Sequence, residues 1–202
     1  GLLVRCATTN GGYAAQAVHV HPGMEVKRLA GRTIALLPLI TRHGIDSSGE
    51  LAVSRLSRAI RTSRRALHVR PVLELYDEPS PAKLREIDST LQELYRLLYD
   101  GDVIGVQQED TMRMAVPAPF FLALTLRGGA RIQSLDDTAK RRVFLEAELW
   151  DSENGVAWMR IRGRGVTVDA EIGDDAFIAN TIIRMVSEIP VAPPHADMDD
   201  AW

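Results

Sequence analysis

With 202 residues, the chain suits one domain, or one domain with tails, large enough to bury a core without disulfides or metals. Its 24 basic and 27 acidic residues are interspersed and leave a net charge of -3, which argues against nucleic acid as a partner. One cysteine, Cys6, excludes an internal disulfide and a multi-thiolate zinc site, and no apolar run reaches the roughly 18 to 20 residues of a membrane-spanning helix.

Residues 1–31 read as a leader or tether with little fixed structure: a short apolar remnant, a small polar stretch, then the turn signal Pro22-Gly23. From Thr33 to Ile40 the sequence is almost continuously apolar, as in a strand buried on both faces, and Pro38 marks the end of its ladder. A helix follows, opened by Ser47 with Glu50 at capping-box spacing, Asp46 and Ser48 being rival caps. It is expected to reach about Ser63 with Ala52, Leu56, Ala59 and Ile60 inward. Residues 66–75 predict a second strand, and Pro71 makes it an edge, a bulge or two short pieces.

Ser80 as N-cap and Pro81 as first helical residue open the clearest helix. Its apolar set is Leu84, Ile87, Leu91, Leu94, Tyr95 and Leu98, and Gly101 stops it. A shorter helix is expected over 106–115, a strand over 120–126 ended by Gly128-Gly129, and a polar loop over 127–140.

Residues 142–164 read as a long β-hairpin about a turn at 151–155, with Asn154 or Gly155 supplying the positive φ. Pairing Trp150 with Val156 sets Leu149 against Ala157, Ala147 against Met159 and Leu145 against Ile161. On the other face Glu146 then meets Arg160, Glu148 meets Trp158 and Phe144 meets Arg162. Gly163 and Gly165 suggest a bulge, beyond which 166–168 extends the second arm. A last helix from near Asp174 carries Phe177, Ile178, Ile182 and Met185 inward until Pro190. The acidic, proline-bearing tail 190–202 is expected to be loosely attached. The order predicts an α/β (α+β) fold: one domain over 32–189, a single mixed β-sheet covered by helices, with a long C-terminal antiparallel hairpin followed by a terminal helix.

Little here resembles catalytic machinery. Gly128-Gly129 and Gly163-Arg164-Gly165 lack phosphate-loop spacing, and Asp46-Ser47-Ser48-Gly49 is no nucleophile elbow, so no catalytic residue is assigned. His19 and His21 share a side on an extended segment and could join His43 or His68 about a metal. Solvent-facing polar residues explain them better, and neither a metal nor a cofactor is assigned. Glu146, Glu148, Arg160, Arg162 and Arg164 form the densest charged group, which reads first as a solvated face laced by cross-strand ion pairs. With Phe144, Trp150 and Trp158 on that face, Arg160 and Arg162 also have the composition of a partner-binding surface.

Two stretches resemble a known family. Cys6-Ala7-Thr8-Thr9 after Leu3-Val4 looks like the start of a mature bacterial lipoprotein, although Arg5 stands where the lipobox has a small residue. The strand at Arg32 to Leu39, the helix carrying Leu94-Tyr95-Arg96-Leu97-Leu98, the strand from Phe120, and Leu145-Glu146-Ala147-Glu148-Leu149-Trp150-Asp151 with Gly155-Val156-Ala157-Trp158 resemble periplasmic lipoproteins with a TolB N-terminal-like or curli-secretion-lipoprotein-like domain.

The resemblance implies a non-catalytic adaptor, tethered through a lipid on Cys6 to the periplasmic face of the bacterial outer membrane. It would bind envelope proteins of an assembly, export or peptidoglycan-synthesis machine. Homo-oligomerisation stays open. The alternatives are a small-ligand-binding periplasmic module with a cleft beside the sheet, and an uncharacterised hydrolase, which would require a nucleophile and base in hydrogen-bond reach.

Overall fold

A computed structural model describes residues 11–41, 44–45, 53–77, 80–100, 116–133, 139–167 and 172–191. The strands are β1 (Gly11–Val20), β2 (Thr33–Thr41), β3 (Gly44–Ile45), β4 (His68–Pro71), β5 (Phe120–Gln133), β6 (Ala139–Asp151) and β7 (Val156–Thr167). The helices are α1 (Val53–Ser63), α2 (Pro81–Asp100) and α3 (Asp174–Val186). All seven strands join one mixed sheet in the order β1-β7-β6-β5-β2-β3, with β4 also paired to β2. The pairs β2–β4 and β2–β5 are parallel, and the others antiparallel. The expected single mixed sheet, its C-terminal hairpin and the helix after it are all present.

Strand alternation divides the interior into two layers. Ile34, Leu36, Phe120, Leu122, Leu124, Leu145, Ala147, Leu149 and Ile161 face α1 and α3, where Leu56, Ile60, Phe177, Ile182 and Met185 meet them. Ala35, Leu37, Phe121, Ala123 and Trp150 face α2, which contributes Ile87, Leu91, Leu94, Tyr95 and Leu98. The first face is covered by two helices. The second, among the described residues, has only α2, placed toward β2 and β5. Ser80 caps α2 as expected, its Oγ accepting from Lys83 N at 3.3 Å, whereas Leu84 points to solvent.

The largest departure from the sequence reading is at the front of the chain. Residues 11–20 are not tether but an edge strand on β7, with Tyr13, Ala15 and Ala17 packed on the larger core. Its alanines and glycines are weak strand formers, so the offer of β7's free edge decides the conformation. The short 3-10 helix Val26–Leu29 then buries Leu29. Cys6, the caps at 46–50, the helix expected at 106–115 and the tail from 192 lie outside the described residues.

Three smaller corrections concern ladders. Pro38, lacking an N–H, falls where the β2–β5 register shifts between Leu36 and Leu39, and β2 resumes to Thr41 instead of ending. The second strand is short: β4 stops at Pro71, and Val72–Leu75 is 3-10 helix. The loop expected over 127–140 is largely strand, because Gly128 and Gly129 pair with Phe144 and Val143 after a register shift at Arg127.

In the hairpin β6 and the part of β7 from Met159 onward present the faces as read, with the register two residues off, while Ala157 and Trp158 change faces. Leu149 pairs with Met159, Ala147 with Ile161, Glu148 with Arg160 and Glu146 with Arg162. The bulge is at Trp158, where the register shifts between Leu149 and Trp150, and not at 163–165. Gly155 supplies the turn's positive φ, 61°. Gly163 and Gly165 serve packing instead. A Cβ on Gly163 would strike the Met185 side chain, and one on Gly165 would meet Thr181 Oγ1, Phe177 Cε2 at 2.9 Å and Val143 Cγ1 at 3.0 Å. Two bare patches on β7 thus let α3 lie close against the sheet.

Gly165→Ala is accordingly expected to cost about 1–3 kcal/mol through overpacking, read as a lower urea midpoint. Gly12→Ala, with nothing within 4 Å of the added methyl, should change stability by less than about 0.5 kcal/mol.

Tyr95 yields a second expectation. It is buried in α2's core with its hydroxyl unpartnered among the described residues. Burial, with the nearby Asp88 charge adding to it, pushes its pKa well above the ordinary value. A raised folded-state pKa means that the unfolded chain ionises first, so stability is full below about pH 10 and falls as pH rises beyond it. Tyr95→Phe removes an unpaired buried hydroxyl and should raise stability by about 1 kcal/mol. It should also flatten the alkaline loss, though not abolish it, since burial raises Tyr76 too. Urea midpoints near neutrality and above about pH 10 test both; a destabilised variant would show that the hydroxyl is satisfied.

Candidate functional site

Asp151 closes the hairpin turn with no exposed surface. Its Oδ1 accepts from the backbone N–H groups of Glu153 and Asn154, and its Oδ2 from Asn154 Nδ2 at 2.8 Å and Arg28 at 2.9 Å. The Arg28 guanidinium also lies 4.9 Å from the Trp158 ring centroid and 5.7 Å from that of Phe120. Ser152 joins the turn to the approach of β5, donating to the carbonyl oxygens of Pro119 and Ala118. Every group here is occupied in holding the turn, so the cluster is structural.

The charged face of the hairpin differs. On β6, Glu146 and Glu148 alternate with Leu145, Ala147 and Leu149, so they point to the α2 side of the sheet beyond the helix's cover. Both are buried, at 7% exposure. A carboxylate with so little water must be paired. Glu146 Oε2 accepts from Arg127 Nε at 3.0 Å, while its Oε1 lies 3.2 Å from Arg160 Nε and 3.9 Å from Arg162 Nε. Glu148 Oε1 accepts from Arg160 Nε at 2.5 Å, and its Oε2 takes the Trp150 indole N–H at 3.1 Å. Two acids from β6 are thus enclosed by arginines from its two neighbours.

Beside this network lies an open cleft of about 530 Å³, lined by Leu98, Arg127, Phe144, Glu146, Arg160 and Arg162. Exposure rises outward across it. The Arg160 side chain is 42% exposed and that of Arg162 68%, while Phe144 is half-exposed and stands opposite exposed Arg164.

The structure brings together Phe144, Arg160 and Arg162 of the residues expected to bind a partner. Trp150 is on the same face but buried, stacked on Phe121 with an interplanar angle of 4°. Trp158 is on the opposite face, 2% exposed and 4.8 Å from the Phe120 ring, because the bulge turns it into the larger core. The glutamates are not the solvated ion pairs first expected. Arg127 was missed, having been read as loop; the apolar alternation Leu122, Leu124, Leu126 continued by Thr125 and Arg127 on the other side was the signal for it.

The histidines do not converge. His19 and His21 lie on or just after β1 and His68 on β4, at opposite edges of the sheet, with His43 outside the described residues. His21 Nδ1 accepts from Gly23 N–H in the turn. Among the described residues, no group of three or more metal-ligating side chains occurs and no helix is long and apolar enough to cross a membrane.

Fold and face together define a mixed-sheet α+β domain with a charged, partly aromatic cleft on its half-covered side. No protein-family model matches the chain, nor does any curated protein. Solved structures similar to it include three bacterial proteins. PelC, a dodecamer from Paraburkholderia phytofirmans, has a TM-score of 0.49 at 13% identity over 91% of this chain and 99% of that one. Lipoprotein GNA1162 from Neisseria meningitidis has a TM-score of 0.39 at 14% identity, covering 77% and 98%. The hypothetical protein CT253 from Chlamydia trachomatis has 0.44 at 12%, covering 79% and 94%. No residue role follows from these likenesses.

The network makes unequal predictions for its members. Glu146→Gln leaves Arg127, Arg160 and Arg162 without their shared countercharge and should cost about 1–3 kcal/mol. Arg162→Gln removes only an exposed, long pair and should change stability by less than about 1 kcal/mol. Urea midpoints of the two variants at low and high salt provide the check.

Proposed function

We propose that the chain is a non-catalytic, lipoprotein-like adaptor of the bacterial cell envelope that binds a protein partner. One observation carries the binding half of this reading: strands β6 and β7 present Phe144, Arg160 and Arg162 around a cleft that α2 does not cover. Exposed aromatic and arginine side chains over a buried polar base have the composition of an interface centre, where few residues supply most of the binding energy. The network beneath fixes Arg160 before a partner arrives, which lowers the ordering cost of binding.

The envelope half rests on the sequence. The strand, helix and hairpin motifs resemble TolB N-terminal-like and curli-secretion-lipoprotein-like domains, and Cys6 is the acylation candidate. In this reading acyl chains on Cys6 hold the domain at the periplasmic face of the outer membrane, more than one chain being needed for stable attachment. The partner belongs to an assembly, export or peptidoglycan-synthesis machine.

A small-ligand-binding module is the second reading, favoured by the cleft's volume, which falls within the usual range for such sites. Its lining is half charged and broadly open, which suits a protein segment better than an enclosed small molecule.

The test is expression from the native start codon with a photocrosslinking amino acid at position 144, followed by mass spectrometry of Cys6 and of crosslinked products. An acylated, membrane-bound chain joined to a specific envelope protein is the expected result. A product with free Cys6 outside the envelope, or an acylated one that captures nothing, would sink the adaptor reading.

A further inference from the structure

We infer that the β6–β7 cleft recognises an acidic peptide segment, its carboxylates seated on Arg160 and Arg162 and an apolar side chain laid against Phe144 and Leu98. The inference rests on the adaptor reading and names the chemistry of the partner.

Three observations carry it. Arg160 is held through Nε, the side nitrogen of its guanidinium, by Glu148 at 2.5 Å and Glu146 at 3.2 Å, and Arg162 stands next to it with its Nε 3.9 Å from Glu146. Their terminal amino groups have no hydrogen-bond partner among the described residues, and both side chains reach solvent. Arg160, fixed in this way, offers a ready pair of parallel donors to an incoming carboxylate, and the freer Arg162 adds a second cation beside it.

The second observation is the charge of the face. Among the described residues of this face, Arg127, Arg160, Arg162 and Arg164 stand with Glu146 and Glu148, four cations to two acids. The buried glutamates are already engaged, so a cationic partner would have to break the network to reach them. An anionic one needs no such rearrangement.

Third, the wall is apolar. Phe144 stands 44% exposed beside the arginines, and Leu98 closes the α2 side of the cleft. A small inorganic anion would leave that wall unused, whereas a peptide carrying acids around a leucine or aromatic residue would fill both halves.

The experiment measures fluorescence anisotropy of a short labelled peptide of glutamates and alanines around one leucine, added to the full chain. Saturable, salt-weakened binding is expected. It should fall about tenfold in Arg162→Gln and also in Phe144→Ser, neither of which removes a buried group. Each variant's urea midpoint confirms that it is folded. Binding that survives both substitutions, or that acetate or phosphate displaces as well as unlabelled peptide does at equal ionic strength, overturns the proposal.

The crosslinking experiment from position 144 separates this inference from the reading beneath it. A captured envelope protein with no peptide binding overturns acidic recognition and leaves the adaptor standing. Peptide binding with no captured protein overturns the adaptor and leaves an anion-recognising cleft.

Discussion

The strict alternation of β6 is the constraint on which the arrangement depends. Leu145, Ala147 and Leu149 go into the larger core, so Glu146 and Glu148 are forced together onto the other face of a central strand. Strands flank them on both sides, and water reaches them poorly. Two carboxylates in that position require cations, which the neighbouring strands β5 and β7 supply. Arg127, Arg160 and Arg162 are therefore the condition on which β6 can lie at the middle of the sheet.

The same alternation explains why the helices are distributed unevenly. The apolar face is long, running from β2 to β1, and takes two helices; α3 comes close only because β7 shows Gly163 and Gly165 to it. On the opposite face the apolar patch ends at Ala123 and Trp150, and α2 ends its cover there, with Leu98 at the border. Trp150 bridges the two regimes: its ring stacks on Phe121 in the core, and its indole N–H reaches Glu148 in the network. The cleft is what remains when a helix of this length meets a sheet whose outer strands are charged.

Much of this was legible in the sequence because it is local. Ser80-Pro81 and the apolar spacing after it specify α2, the stripe from Phe177 to Met185 specifies α3, and the period of two in the hairpin arms specifies which residues share a face. What was not legible depends on distant partners. β1 is a strand because β7 has an edge to offer, and its alanines say little by themselves. The register slipped by two because the turn pairs Asp151 with Val156, one residue off, and the bulge at Trp158 adds one more; Trp158 and Met159 then share a face, which alternation alone cannot reveal. The glutamates looked solvated because Arg127, which encloses them, is 19 positions away and follows a run that seemed to end at glycine.

The position of the bulge also bears on function. Had Trp158 kept its expected place, three large aromatics would line the charged face, making it a broad apolar patch. Turning Trp158 inward and burying Trp150 leaves Phe144 as the exposed aromatic of the network face, with arginines dominating around it. A surface of that kind discriminates by charge first and by apolar fit second. The arginines of this face are not the molecule's only basic group, since α1 and the turn after it carry Arg55, Arg58, Arg61, Arg64 and Arg65 on the other side of the sheet. What sets the β6–β7 face apart is the cleft and Phe144 beside its arginines, which give an acidic segment an apolar contact as well as a charge. Strands, more rigid than loops, then hold the arginines in place to receive it.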